Sequence, residues 1–204
     1  MSDHRKLLIA TSNRGKAREM RAILSDLPVT LLSLADFPPL VEPVEDADTF
    51  EGNARTKAIH YARLTNPWSL ADDSGLVVDA LNGAPGVKSA RYAGMQCDAA
   101  ANNAKLIAAL ADIDEDKRQA RFCCAIVVAS PTEVLAVSSG TVEGVIVDDP
   151  VGHNGFGYDP HFFMPAQGQT AAELSPEVKN SISHRARALQ AIRPRIEELL
   201  SSHA

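Results

Sequence analysis

Five short segments carry residues whose types and spacing could do chemistry. In the first, Thr11-Ser12-Asn13-Arg14-Gly15-Lys16, two hydroxyls, an amide, two cations and a glycine stand where a short apolar run gives way to a helical pattern. The first N–H groups of a helix have no intrahelical partner and carry the positive end of its dipole, so this segment suits an anion, a phosphate above all. The G-x-x-x-x-G-K-[ST] spacing of the phosphate loop is absent, and Thr11 to Asn13 could equally serve as plain helix caps.

The second segment, Ala71-Asp72-Asp73-Ser74-Gly75, is expected to be an acidic turn between two short extended pieces, 68–72 and 75–79. If the backbone stays extended through it, the two carboxylates point to opposite faces, one toward a ligand and one toward structure. A carboxylate at a strand end is a good ligand for Mg²⁺, which takes one or two protein carboxylates plus substrate phosphates. The third segment supplies Glu42, Glu45, Asp46 and Asp48 ahead of a helix starting near Thr49. Acidic groups there favour the helix dipole on their own account, or one of them completes the metal site. Within that helix, Asn53 and Lys57 are four apart and share a face.

The fourth segment, Gly152-His153-Asn154-Gly155-Phe156-Gly157-Tyr158-Asp159-Pro160, interleaves glycines with two aromatics. Glycine allows close approach of backbone to a ligand, and Phe156 offers a flat apolar face for a base. Last come Lys179 and Ser183-His184-Arg185 at the start of the final helix, a set of cationic and donor groups in which Ser183 is also a plausible N-cap. His184 has no companion at ligand spacing and reads as a hydrogen-bonding group.

The elements that must position these residues follow from periodicity. Strands are expected at 7–11, 29–33, 120–130 and 134–147, the last two joined by the turn Ser130-Pro131-Thr132-Glu133. Helices are expected at 16–26, 49–66, 99–111 and 183–200, the last with Pro194 as a kink or break. Segments 36–48, 82–86 and 152–160 read as loops. With 204 residues and no linker or repeat, the economical reading is one α/β domain, 1–204, with a mixed sheet.

A net charge of -6 argues against a nucleic-acid backbone as partner while permitting a small triphosphate held by local cations, amides and a metal. Cys97, Cys123 and Cys124 form neither a disulfide framework nor a zinc motif. No apolar stretch is long enough for a membrane span and the polar N-terminus is not a signal peptide, so a cytoplasmic protein is expected.

Taken together, the segments resemble the inosine triphosphate pyrophosphatase family, the XTP/dITP diphosphatases, in its bacterial form. The resemblance is carried by A-T-S-N-R-G-K from Ala10, T-F-E-G-N-A-R-T-K-A from Thr49, A-D-D-S-G-L-V-V-D-A-L from Ala71, G-A-P-G-V-K-S-A-R-Y-A-G from Gly83, G-F-G-Y-D-P from Gly155 and S-H-R-A-R-A-L from Ser183, in the family's order and over nearly the whole chain. It implies a homodimer of elongated α/β subunits, each with a mixed twisted sheet flanked by helices and a cleft between two lobes. It implies Mg²⁺-dependent hydrolysis of deaminated purine nucleoside triphosphates (dITP, ITP, XTP) to monophosphate and pyrophosphate, which cleanses the nucleotide pool.

By the same resemblance Thr11 to Lys16 grip the phosphates, Asp73 is general base and metal-associated carboxylate, and Ser74 touches substrate. Phe156, Gly157, Tyr158, Asp159, Lys179, His184 and Arg185 fall where the family binds base, sugar and phosphate. The second metal ligand maps to Glu45 or Glu42. Gly52 departs from the family's usual glutamate before Asn53. Two other readings share parts of this pattern: a pyrophosphatase for modified pyrimidine nucleotides, and a nucleotide-sensing module without hydrolysis.

Overall fold

The computed structural model describes residues 5–95 and 97–202. Its regular elements are β1 (Lys6–Ile9), α1 (Arg14–Ile23), β2 (Thr30–Ser33), α2 (Phe50–Thr65), β3 (Trp68–Val78), α3 (Ala99–Leu110), β4 (Gln119–Ala129), β5 (Val134–Ile146), β6 (Phe162–Met164), β7 (Gln169–Thr170), α4 (Pro176–Ile182) and α5 (His184–Ser201). The strands form one mixed seven-stranded sheet in the order β2-β1-β3-β4-β5-β6-β7. β1 lies parallel to β2 and to β3, with Leu7 opposite Trp68 and Ile9 opposite Leu70, while β6 runs antiparallel to β5 and β7. This is the α/β class with a mixed sheet that the pattern predicts.

Contacts divide the chain into two compact units. One comprises Met1–Asp73, Cys124–Gly140 and Arg185–Ala204, the other Ser74–Cys123 and Thr141–His184. In the first unit, the period of two along β1 decides which core each residue joins. Leu7 and Ile9 pack with Met20 of α1, with Leu24 at its C-cap, and with Leu189, Ile192 and Ile196 of α5. Leu8 and Ala10 point the other way, to Ala54, Ala58 and Tyr61 of α2. The sheet segment is therefore covered on both faces, as parallel strands require. The second unit has its own core, in which Leu76, Val78, Leu106, Leu110, Phe122, Ile146 and Phe162 are buried together.

Most element boundaries fall within a few residues of expectation, and α2 is delimited by the predicted residues: Thr49 caps it by accepting from the Gly52 N–H, and Asn66 ends it at a positive φ of 74°. Three expectations need correcting. The acidic turn at 72–75 does not form, because β3 runs unbroken from Trp68 to Val78 with nearly every residue buried. Gly75 marks close packing there: a Cβ would lie 2.3 Å from Ser89 Oγ and 2.5 Å from the Gly86 carbonyl oxygen. Pro194 does not interrupt α5, which is assigned as one helix across it. The buried stripe Leu189, Ile192, Ile196, Leu199 offsets the hydrogen bond that proline removes. Finally, 82–86 is less irregular than expected: it follows a 3₁₀ turn at Asp79–Leu81, bridges back from Pro85 to Val77, and enters a second 3₁₀ segment at Gly86.

Candidate active site

The first unit gathers the charged residues of three of the five segments. At the N-terminus of α1, Asn13 is the cap, its side chain accepting the Lys16 N–H at 3.1 Å, and Thr11 Oγ1 accepts the Asn13 N–H at 3.2 Å. Ser12, Asn13 and Arg14 are exposed, and Thr11, Gly15 and Lys16 half-buried. The Lys16 ammonium reaches Asp72 at 3.1 Å.

Because β3 stays extended, Asp72 and Asp73 do point to opposite faces. Asp72 turns toward α1 and α5, where Arg185 Nε and Nη2 donate to it at 3.3 and 3.2 Å and Arg185 Nη1 also donates to Glu19. Asp73 turns toward α2, where Asn53 Nδ2 donates to its Oδ2 at 3.1 Å. Asn53 also clasps the acidic loop, accepting the Ala47 N–H at 3.0 Å and donating to the Ala47 carbonyl at 3.3 Å. One turn along, Lys57 pairs with Glu45 at 2.8 Å and donates to the Asp72 carbonyl at 3.0 Å. Further along still, the His60 ring meets the Val41 carbonyl at 2.7 Å.

These surroundings set the two aspartates apart. For Asp72 burial works against ionisation, but Lys16, Arg185 and Lys57 outweigh it and hold the carboxyl well below the usual range. For Asp73 burial prevails over Lys16, Lys57 and the Asn53 hydrogen bond, and pushes its carboxyl up. Lys57, although buried, keeps its proton more firmly than usual because Asp72, Glu45 and Asp73 surround it.

The donor set here fits a hard divalent cation. Asp73 and Glu45 offer carboxylate oxygens, and Asp73, 8% exposed and uncomfortable as an anion, would gain from a cation beside it. Among the described residues no group of three or more His, Cys, Asp or Glu is gathered to hold a metal. A cation held here would therefore draw its other ligands from phosphate oxygens and water, which is the habit of Mg²⁺.

The second unit holds the residues of the aromatic loop. Asp159 accepts the Phe156 N–H at 2.8 Å and the Lys179 ammonium at 2.5 Å, and that ammonium lies 5.0 Å from the Phe156 ring centroid. Gly155, at φ 75°, is obligatory, since a Cβ would sit 2.0 Å from Asp159 Oδ2. The loop is tied down by the Tyr158 hydroxyl, which donates to the Ser89 carbonyl at 2.8 Å, and by Asn103, whose amide donates to the Gly157 carbonyl at 3.1 Å. The His184 ring stacks on Phe122 with centroids 4.9 Å apart, beside a recess lined by Phe162, Met164, Leu174 and Ile182 together with Asp159, Lys179 and Ser183. Ser74, half-buried, follows Asp73 on β3.

The structure thus brings together Lys16, Asn53, Lys57, Asp73 and Glu45, and separately Phe156, Asp159, Lys179 and His184. It commits the side chains of Asn53, Tyr158 and Arg185 to protein partners. Glu42 lies on the same loop and bears on Tyr61, whereas Lys57 selects Glu45 as its partner. Sequence reasoning missed Glu19, Ser89 and Asn103. Only Glu19 left a trace, as a charged residue beside Met20 on the core-facing stripe of α1.

Fold and site together define an α/β protein with a cation-rich helix N-terminus, paired carboxylates and an aromatic loop, chemistry suited to a phosphorylated ligand with a planar group. The chain belongs to the Ham1 family, whose model matches residues 7–195. It is 49% identical over 195 residues to a dITP/XTP pyrophosphatase of Listeria monocytogenes, covering 96% of each chain. It is 53% identical over 184 residues to that of Geobacter sulfurreducens, covering 90% of this chain and 92% of the relative. Among solved structures, the Staphylococcus aureus Ham1 protein is 39% identical with a TM-score of 0.84, covering 96% of this chain and all of that one. A HAM1 protein from Coxiella burnetii is 40% identical with a TM-score of 0.86, covering 95% and 99%.

Proposed function

We propose that this protein hydrolyses deaminated purine nucleoside triphosphates, dITP, ITP and XTP, to the monophosphate and pyrophosphate, with Mg²⁺ associated with Asp73 and Glu45. The observation that carries the reading is a buried Asp73, held by Asn53 and with its carboxyl pushed up by burial, in the same unit as Lys16, which pairs with Asp72, and Lys57, which pairs with Glu45. The names of the relatives point to the same substrates.

In this reading Lys16, the α1 amides and the hydroxyls of Thr11 and Ser12 bind the polyphosphate, and Asn13, Arg14 and Gly15 shape that turn. Asp73 accepts the proton of the attacking water, a task its raised affinity for protons favours. Asn53 orients Asp73 through the Nδ2 hydrogen bond, and Lys57 orients Glu45. A bound Mg²⁺ supplies charge neutralisation for the departing pyrophosphate. Cleavage needs no covalent intermediate on the protein, so positioning and electrostatics carry it. Phe156 stacks on the base, with Gly157 and Tyr158 shaping its loop, while Asp159, Lys179 and His184, with Ser74, serve the base, sugar and phosphate; Arg185, committed to Asp72 and Glu19, does not reach the substrate itself. Hypoxanthine and xanthine present an acceptor at position 6 where adenine presents a donor, so protein donors there would leave adenine poorly paired. We place the protein in the cytoplasm as a homodimer that acts on free nucleotides rather than on nucleic acid or membranes.

A pyrophosphate-release assay with Mg²⁺ across dITP, ITP, XTP, GTP and ATP tests class and base preference together. The first three are expected to turn over fastest, and Asp73→Asn is expected to lower that turnover by roughly 10³-fold, within the range for loss of an acid–base group. Turnover of ATP equal to that of dITP would refute the base preference, and near-normal activity of Asp73→Asn would refute its role.

A further inference from the structure

Three buried side chains and the half-buried Lys16 form, in the first unit, a ring of alternating charge that closes through the backbone of α1. Lys16 pairs with Asp72 at 3.1 Å, Asp72 with Arg185 at 3.2 Å, and Arg185 with Glu19, which stands three residues after Lys16 on α1. The ring therefore starts and ends on one face of the same helix. Its most exposed corner is Lys16, whose side chain is 14% accessible, against 0% for Asp72, 2% for Arg185 and 9% for Glu19.

Each member has a distinct electrostatic effect. A lysine side chain is flexible and loses rotamer entropy when fixed. Held in advance by Asp72, it would already have lost most of that freedom before a ligand arrives. A carboxylate this close would by itself cancel the lysine charge, but Arg185 draws on the same carboxylate and leaves the ammonium available to an incoming anion. Arg185 in turn needs Glu19, since an arginine this deeply buried must be paired.

We propose that Glu19 and Arg185 are positioning residues for Lys16: through Asp72 they fix its ammonium at the N-terminus of α1 to meet the polyphosphate of the substrate. This rests on the pyrophosphatase reading for its substrate but makes a claim about binding that does not require turnover. The expected signature is a raised KM for dITP with a smaller change in kcat. It is also a loss of affinity for inorganic tripolyphosphate.

The test is a double-mutant cycle by calorimetry with tripolyphosphate as probe, using wild type, Glu19→Gln, Lys16→Met and the pair. Glu19→Gln is expected to weaken binding roughly ten-fold in the wild-type background and hardly at all beside Lys16→Met, a coupling within the range for residues sharing a network. Glu19→Asp, which keeps the charge, should restore part of the affinity, and it takes the place of Glu19→Gln in the cycle if the latter does not fold. Equal effects of the Glu19 change in both backgrounds, unaltered affinity, or a wild type that does not bind tripolyphosphate would overturn the proposal. Failure of the wild type to hydrolyse dITP while the coupling persists would instead overturn the pyrophosphatase reading alone.

Discussion

Asp72 and Asp73 are neighbours on one strand, and their environments pull their ionisation in opposite directions. Asp72 is stabilised as an anion by Lys16, Arg185 and Lys57, whereas Asp73 is destabilised as one by burial. A carboxyl whose folded pKa is raised gives its full stability contribution below the ordinary aspartate value of about 3.9 and loses it as pH climbs through the folded value. At neutral pH the metal-free protein therefore carries a cost at Asp73 that an amide would not. Asp73→Asn is expected to raise the melting temperature in chelator at pH 7 by roughly 2–5 °C. The gain should shrink as pH falls toward the ordinary aspartate value and be absent below it. A variant less stable than wild type at pH 7 would contradict this. The sequence displays Asp-Asp plainly, together with the rule that neighbours in a strand face apart. It hides which neighbour is which, because the partners that decide it, Lys16, Arg185 and Lys57, are remote in the chain, Arg185 by 113 positions from Asp72, and their convergence is a product of the tertiary fold.

At the scale of elements, α2 works as a clamp on the acidic loop. Asn53, Lys57 and His60, spaced by four and three, hold Ala47, Glu45 and Val41 in turn. The spacing of Asn53 and Lys57 was readable. That they would grip the loop was not, since a loop without periodicity gives no register. Gly52 shows how closely loop and helix approach. It lies in the first turn of α2, where glycine normally costs about 1 kcal/mol relative to alanine. A Cβ at that position would stand 2.7 Å from Ala47 Cβ and 3.0 Å from Thr49 Oγ1. The contact with Ala47 cannot be relieved by rotating a side chain. Gly52→Ala is thus expected to lower the melting temperature by a few degrees rather than raise it, and to weaken activity by displacing Glu45. Adding Ala47→Gly should recover stability and activity together. If Gly52→Ala alone proves stabilising, the loop does not sit where the structure places it.

For the whole molecule, the telling feature is where the chain passes between its two units. The four crossings fall at 73–74, 123–124, 140–141 and 184–185. Every one of them lies inside a regular element: β3, β4, β5 and α5 respectively. A boundary between independently folding domains normally falls in an exposed linker where few contacts cross. Here, losing one unit would cut three strands, β3, β4 and β5, near their middle and leave α5 short of its first residue, so the sheet of neither part stays whole. The long runs rich in β-branched residues at 120–130 and 134–147 made these strands legible in the sequence. Short pieces such as β6, β7 and α4 were not, being 3, 2 and 7 residues long and held by their neighbours rather than by a pattern. The expectation of a single domain over 1–204 then becomes a calorimetric prediction. Thermal unfolding should show one transition whose van't Hoff enthalpy equals the calorimetric one. Substitutions in the two separate cores, such as Leu189→Ala in the first and Leu106→Ala in the second, should each shift that single transition downward. Two resolved transitions, with each substitution moving only one of them, would show that the units fold separately despite the shared strands.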